Sequence, residues 1–199
     1  MSKTFEHCIL DGFQSFFITS NNQFGFKKGV SCNFAIRTVR GVVDDIVSKG
    51  GTASICALDI SKAFDKVNHH ALLLKLMDRL VPIELLNLFE SWLSNCFSFV
   101  KWKSSWSGCF NLSFGVRQGS VLAPLLFAVY INDIAELFNF QHGVHVVVYG
   151  DDIMLVTSSV NVLQKTLEVC QRELENLDIV INAKKTLFAR RSTGFCYLR

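Results

Sequence analysis

The stretch VVVYGDDIMLV, residues 146–156, sets two adjacent acids inside an otherwise apolar run. Its flanks, Val146–Val148 and Ile153–Val156, have the β-branched and aliphatic character of buried strands. Gly150–Asp151 between them is a two-residue hairpin signal, with glycine first as a type II′ turn prefers. Such a turn holds Asp151 and Asp152 at a sheet end instead of burying them. Alone, Gly-Asp-Asp is more often a plain polar turn than a site. Asp59 shifts that balance, because it too closes an apolar strand-like run, SICALD. Three carboxylates brought together repel, so they must take up protons or hold cations. At least one of them is therefore expected to titrate high when no cation is bound. Oxygen-only ligands with spare coordination sites suit Mg²⁺. Two such ions would stabilise the attacking and leaving oxygens of an in-line phosphoryl transfer.

The rest of the chain bounds this reading. Its 199 residues are enough for one well-buried domain, and half of them are hydrophobic, which excludes disorder as a description of the whole. The longest uncharged apolar run, VLAPLLFAVYI at 121–131, is too short to span a bilayer, which needs roughly 20 residues. The first residues carry no secretory signal pattern. Seven cysteines include no C-x-x-C pair. They read as reduced, mostly buried thiols of an intracellular protein, with no zinc site. The net charge of +3 permits nucleic-acid binding without arguing for it. His69 and His70 stand where a helix begins and read as structural. Trp102 and Trp106 could stack on bases but read as packing residues.

Ser31 is placed to cap a helix running to about Lys49, stopped by Gly50–Gly51. TASICALDI reads as a buried strand ending at Asp59, followed by helices near 69–80 and 82–95. FSFVKWKSS and GCFNLSF read as a strand or loop pair. Gly119 to about Phe138 reads as one long buried helix, with Pro124 early in it. A helix at about 160–177 follows the hairpin, and short strands surround IVINAKKTLFA. The sum is an α+β domain, an antiparallel sheet with helices packed on one face.

Four ordered blocks carry a resemblance: ALDISKAFDKVNH (57–69), VRQGSVLAPLLFAVYINDI (116–134), YGDD (149–152) and LDIVINAKKT (177–186). In this order and spacing they resemble the palm motifs of reverse transcriptases, above all those of non-LTR, LINE-type retrotransposons. QFGFKKGVSCNFAI (23–36) resembles a fingers block of the same family. The resemblance implies a polymerase palm over residues 51–190, with partial fingers at 1–50 and no thumb, endonuclease domain or zinc knuckle. It implies an RNA-directed DNA polymerase acting on an RNA template, a DNA primer and dNTPs. Asp59, Asp151 and Asp152 become the ligands of two Mg²⁺ ions, with Mn²⁺ as a substitute, and the Ile60 carbonyl joins them. Phe64 matches the steric gate against a ribose 2′-OH. Arg117, Gln118 and Gly119 match the block lining nucleotide and template, and Tyr149 adjoins the acids. Lys185, with Lys184 as the alternative, matches the lysine that protonates the leaving pyrophosphate. Asp65 is expected to be structural.

Gly150 stands where these enzymes usually carry alanine, which is expected to loosen the turn. Little processive synthesis is expected from the 199 residues alone, since most phosphate contacts would lie elsewhere. Three other readings compete. A catalytically silent fragment would keep only nucleic-acid binding. An RNA-dependent RNA polymerase also carries Gly-Asp-Asp, but Phe64 and RQGSVLAPLLF argue against it. An unrelated α+β domain predicts three acids far apart.

Overall fold

A computed structural model describes residues 3–137 and 143–193, and the backbone of 195–198. In chain order the elements are α1 (Lys3–Phe13), α2 (Cys32–Ser48), β1 (Ala53–Leu58), α3 (His69–Asp78) and α4 (Ile83–Ser94). Four two-residue strands follow, β2 (Phe97–Ser98), β3 (Lys101–Trp102), β4 (Ser105–Trp106) and β5 (Phe110–Asn111). Then come α5 (Ala123–Tyr130), α6 (Asn132–Glu136), β6 (Val144–Tyr149), β7 (Asp152–Thr157), α7 (Val160–Asn176), β8 (Leu187–Ser192) and β9 (Phe195–Leu198). They fall into two compact units, each built from separated stretches of chain: Met1–Ile18 with Phe64–Tyr130, and Thr19–Ala63 with Ile131–Arg199.

The second of these units holds the sheet. Its order is β6-β7-β1-β8-β9, antiparallel throughout. β1 is apolar on both faces, so both must be covered. Ala53, Ile55, Met154 and Val156 pack under α2, against Val39, Val43 and Val47. The alternate side chains turn the other way, where Cys56 lies close enough to Cys170 of α7 to influence its titration. Burial and that neighbour push the Cys170 thiol up to about 12. The helices thus take both faces of the sheet, not one. Ser31 is the N-cap residue of α2, although its side chain makes no capping bond.

The other unit is helical, with two small ladders: β2 pairs with β5 and β3 with β4. Its core includes Leu72, Leu76, Phe89, Leu126, Phe127 and Tyr130. Asn68 caps α3 by accepting from the Ala71 N–H. Glu6 is 3% exposed yet ionisable. One of its carboxylate oxygens accepts from the Ser120 hydroxyl (2.6 Å) and from the backbone N–H groups of Val121 and Leu122. Burial acts to raise its pKa, but these hydrogen bonds outweigh burial and hold the carboxyl below its ordinary value. The acid so fixes the turn before α5.

The long helix expected from Gly119 does not form as one piece. It starts at Ala123, so Pro124 falls in the first turn, where a missing N–H costs nothing. It breaks at Ile131, whose φ of −98° and ψ of 6° leave helical values. Buried Asn132 accepts from the Ser20 N–H and donates to Glu136. Phe138 lies outside the described residues. The cysteines also differ from expectation. Only Cys56 and Cys170 are buried among those described, while Cys8, Cys32 and Cys109 are exposed, because Cys8 lies on the solvent face of α1, Cys32 at the first position of α2 and Cys109 in a loop.

Candidate active site

The hairpin sets the acids. β6 and β7 pair from Val144↔Thr157 to Tyr149↔Asp152, leaving Gly150 and Asp151 as the loop. Gly150 has φ of +64° and Asp151 keeps negative φ, the pattern of a type II′ turn. On the other side, β1 pairs with β7 up to Leu58↔Ile153. That ladder ends one residue short of Asp59 and Asp152, and the charge of Asp59 acts on the Asp152 carboxyl. The antiparallel register thus gathers the three acids at one end of the sheet. It also puts Tyr149 beside them, on the far strand of the turn.

The neighbours of Asp59 come from LDIVINAKKT. Ile60 is buried and bridges Ile181, and the Ser61 N–H donates to Val180 O. The Asn182 N–H donates to Asp59 O (2.8 Å), and the Asn182 side chain donates to Asp59 Oδ2 (3.0 Å). Lys185 Nζ stands 3.6 Å from the same oxygen with its side chain 68% exposed. Lys184 makes no described contact with the acids. The residue that sequence reasoning passed over is Asn182. It lies inside a quoted block, but only the folded chain shows its carboxamide on Asp59.

The Asp152 carboxyl is raised above its ordinary value of 3.8, first by desolvation, then by the charges of Asp151 and Asp59, with Lys185 opposing. Among the described residues no three His, Cys, Asp or Glu side chains converge as a ready metal cage. The donor set nevertheless fits a hard cation: it is all oxygen, and its crowding is what positive charge relieves. A raised folded-state pKa means that Asp152 contributes its full stability below the unfolded value, and that this is lost as pH rises through the folded value. Asp152→Asn is therefore expected to melt above the wild type at neutral pH without divalent cations. The gap should close as pH falls below 3.8. Calorimetry across pH checks this, and a gap independent of pH would contradict it.

The turn has a support that the sequence did not announce. In the QFGFKKG loop, the Phe24 N–H donates to Val148 O (2.7 Å) and the Val148 N–H donates to Asn22 O (2.8 Å). Gln23 between them is fully buried. This pairing lays Gly25 on the turn so closely that a Cβ there would stand 2.2 Å from the Gly150 nitrogen. The Phe26 ring lies 3.4 Å from where a Gly150 Cβ would be. Gly150 is thus packed between Gly25 and the Phe26 ring. Gly25→Ala is expected to destabilise the fold by about 2–4 kcal/mol, because backbone must move to admit the methyl. Denaturant unfolding measures it, and a loss within about 0.5 kcal/mol, ordinary for a surface substitution, would show that the contact is soft.

In the helical unit, Phe64 is half-buried and stacks on Phe127 with ring centroids 4.6 Å apart and planes at 27°. Phe127 itself is fully buried. The Val116 N–H donates to Phe64 O (2.8 Å), tying the two quoted blocks together. Gln118 donates weakly to Asp65 (3.4 Å), and Arg117 lies 3.8 Å from the Cys96 sulfur. Gly119 has φ of +85° and nothing within 4 Å of where a Cβ would point. Asp65 is thus a partner of Gln118, in keeping with a structural part. His69 Nε2 lies 2.7 Å from Gly115 O, an ordinary structural bond. Trp102 and Trp106, expected to pack, are 74% and 58% exposed, because each sits on a ladder two residues long with no layer above it.

The antiparallel sheet thus carries paired acids on a glycine turn and a third acid at the end of the neighbouring strand. Solved structures with this fold include telomerase from Candida tropicalis in complex with a TWJ fragment of telomeric RNA. That match has a TM-score of 0.73 at 14% identity and covers 96% of this chain and 33% of the other. Telomerase from Candida albicans, in complex with a TWJ fragment of telomeric RNA, gives 0.69 at 14% identity, over 94% and 34%. The model of the reverse transcriptase (RNA-dependent DNA polymerase) family matches residues 2–198, and the chain belongs to that family.

Its relatives are polymerases of non-LTR, LINE-type elements. The probable RNA-directed DNA polymerase from transposon X-element of Drosophila melanogaster is 34% identical over 68% of this chain and 15% of its own length. The RNA-directed DNA polymerase from mobile element jockey of the same species is 34% identical over 70% of this chain and 16% of its own length. A third is the Pol polyprotein from the type-1 retrotransposable element R2 of Nasonia vitripennis, 27% identical over 90% of this chain and 17% of its own length. The chain therefore spans under a fifth of each of these relatives. No described helix is long and apolar enough to cross a membrane.

Proposed function

We propose that this chain provides the nucleotidyl-transfer centre of an RNA-directed DNA polymerase, within an intracellular protein acting in nucleus or cytoplasm. The observation that supports the reading is that β1 pairs with β7 as far as Leu58↔Ile153, next to Asp59 and Asp152, and that the charges of Asp59 and Asp151 both act on the Asp152 carboxyl. On this reading residues 51–190 are the palm and 1–50 part of the fingers. The substrates are an RNA template, a DNA primer and deoxynucleoside triphosphates.

Asp59, Asp151 and Asp152 would hold two Mg²⁺ ions, or Mn²⁺ in their place, with the Ile60 carbonyl alongside. When bound, such ions stabilise charge on the attacking and leaving oxygens. The chain's own groups do the rest. Asn182 fixes the Asp59 carboxylate by its 3.0 Å bond. Lys185, already beside Asp59, is proposed to give a proton to the leaving pyrophosphate oxygen. Phe64 would exclude a 2′-OH, while Arg117, Gln118, Gly119 and Tyr149 would line nucleotide and template.

The test is addition of one labelled deoxynucleotide to a DNA primer on an RNA template, with Mg²⁺, by the protein with its natural flanks. Template-directed incorporation that stops on chelation is the expected result. A folded protein that binds the hybrid yet adds no nucleotide would overturn the reading.

A further inference from the structure

No acid stands between Glu90 and Asp133, while Lys101, Lys103 and Arg117 do. Within that basic stretch the β3–β4 hairpin lifts aromatic side chains into solvent. Lys101 pairs with Trp106 across the ladder, and Trp102 pairs with Ser105. Cross-strand partners share a face and successive residues alternate, so the two tryptophans lie on opposite faces. Phe99 meets Trp106 edge-on, with ring centroids 5.1 Å apart, and Lys101 Nζ lies 4.9 Å from the Trp106 ring centre. Phe99 is also a wall of a groove of about 530 Å³, lined further by Phe97, Phe114, Arg117, Gln118 and Asp65, whose carboxylate accepts from Gln118. One continuous path therefore runs from Arg117 and Gln118 to the Trp106 face.

We propose that this path is a stacking platform for single-stranded nucleic acid, the unpaired part of the template, which rests on the polymerase reading above. Flat aromatic faces accept any unpaired base, and the lysines and arginine meet its phosphates. Contiguous exposed aromatic rings rimmed by polar residues mark a binding surface. The stretch from 91 to 132 brings lysines and an arginine and no acid, and the Asp65 carboxylate in the groove is engaged by Gln118, so the surface favours a polyanion over an ordinary protein surface. Trp106 supplies the stacking face, Phe99 continues it into the groove, and Lys101 follows the backbone. Trp102, on the other face, takes no part.

The experiment is fluorescence anisotropy of a labelled 12-nucleotide oligouridylate with the 199-residue chain. Trp106→Ala is expected to weaken binding about tenfold, as loss of one stacked base does. Trp102→Ala should change it less than twofold. Lys101→Gln should flatten the dependence of log affinity on log salt by about 0.7. All three should melt with the wild type, since these side chains are exposed.

Unchanged binding by Trp106→Ala would overturn the platform, as would an equal loss from Trp102→Ala. So would sedimentation showing that the substitutions instead dissolve a self-association of the chain. Single-nucleotide addition by Trp106→Ala in the protein with its flanks separates the two readings. Oligouridylate binding insensitive to Trp106 with incorporation intact removes the platform alone, whereas a wild type without incorporation removes the polymerase reading.

Discussion

Asp151→Asn is expected to lower nucleotide addition by at least about a thousandfold while leaving the fold as stable as before or more so. Losing a charge-stabilising ligand set costs several kcal/mol in the transition state, and each 1.36 kcal/mol is tenfold in rate. The same substitution removes one of the charges that raise the Asp152 carboxyl, so the resting fold gains. Opposite signs for rate and stability are the signature of a functional acid. A plain polar turn predicts little change in either. Asp59→Asn should follow in rate, with a smaller gain in stability, because Asp59 also receives Asn182 and Lys185. The measurements are single-turnover addition with saturating divalent cation and calorimetry without it. Full activity in Asp151→Asn would remove the turn from the chemistry.

Phe64→Val is expected to change the choice of sugar. If the ring excludes a 2′-OH, cutting it back relieves a clash of about 2–3 kcal/mol. That raises ribonucleotide use relative to deoxynucleotide use by roughly a hundredfold. The stacking of Phe64 on buried Phe127 adds a second effect. Truncation leaves unfilled space beside Phe127 and costs about 1–3 kcal/mol of stability. A lower melting temperature is thus common to both readings and decides nothing. The ratio of kcat/KM for matched ribo- and deoxynucleoside triphosphates decides. A steric gate moves that ratio, whereas a packing residue lowers both values together. An unchanged ratio would leave Phe64 as part of the wall that holds Phe127.

The local chemistry of the site was legible in the sequence because it depends on neighbours along the chain. A glycine followed by aspartate between two apolar runs can do little but turn, and Gly150 takes the positive φ that this requires. The apolar run before Asp59 is a strand for the same local reason. The family blocks, in order, added roles to residues already marked by position. Composition pointed to a buried core, and the longest uncharged apolar run is too short to span a bilayer.

What the sequence could not decide is pairing at a distance. Nothing local says that β1 lies between β7 and β8, and that placement brings the end of β1 at Asp59 beside the start of β7 at Asp152. A shift of one residue in that register would turn Asp59 to the other face, since side chains alternate along a strand. The choice of Lys185 over Lys184 beside Asp59 is likewise a matter of where a loop comes to rest. Gly25 against Gly150, and Glu6 at the turn before α5, join residues more than a hundred positions apart. The break at Ile131 overrode a helical pattern that ran through it, because buried Asn132 had partners to satisfy. The exposure of Trp106 was hidden for the converse reason. An aromatic residue reads as core until the fold leaves it without a covering layer. Periodicity and turn chemistry are set by adjacent residues and are written in order along the chain. Register, burial and partner choice arise only when distant segments compete for the same space.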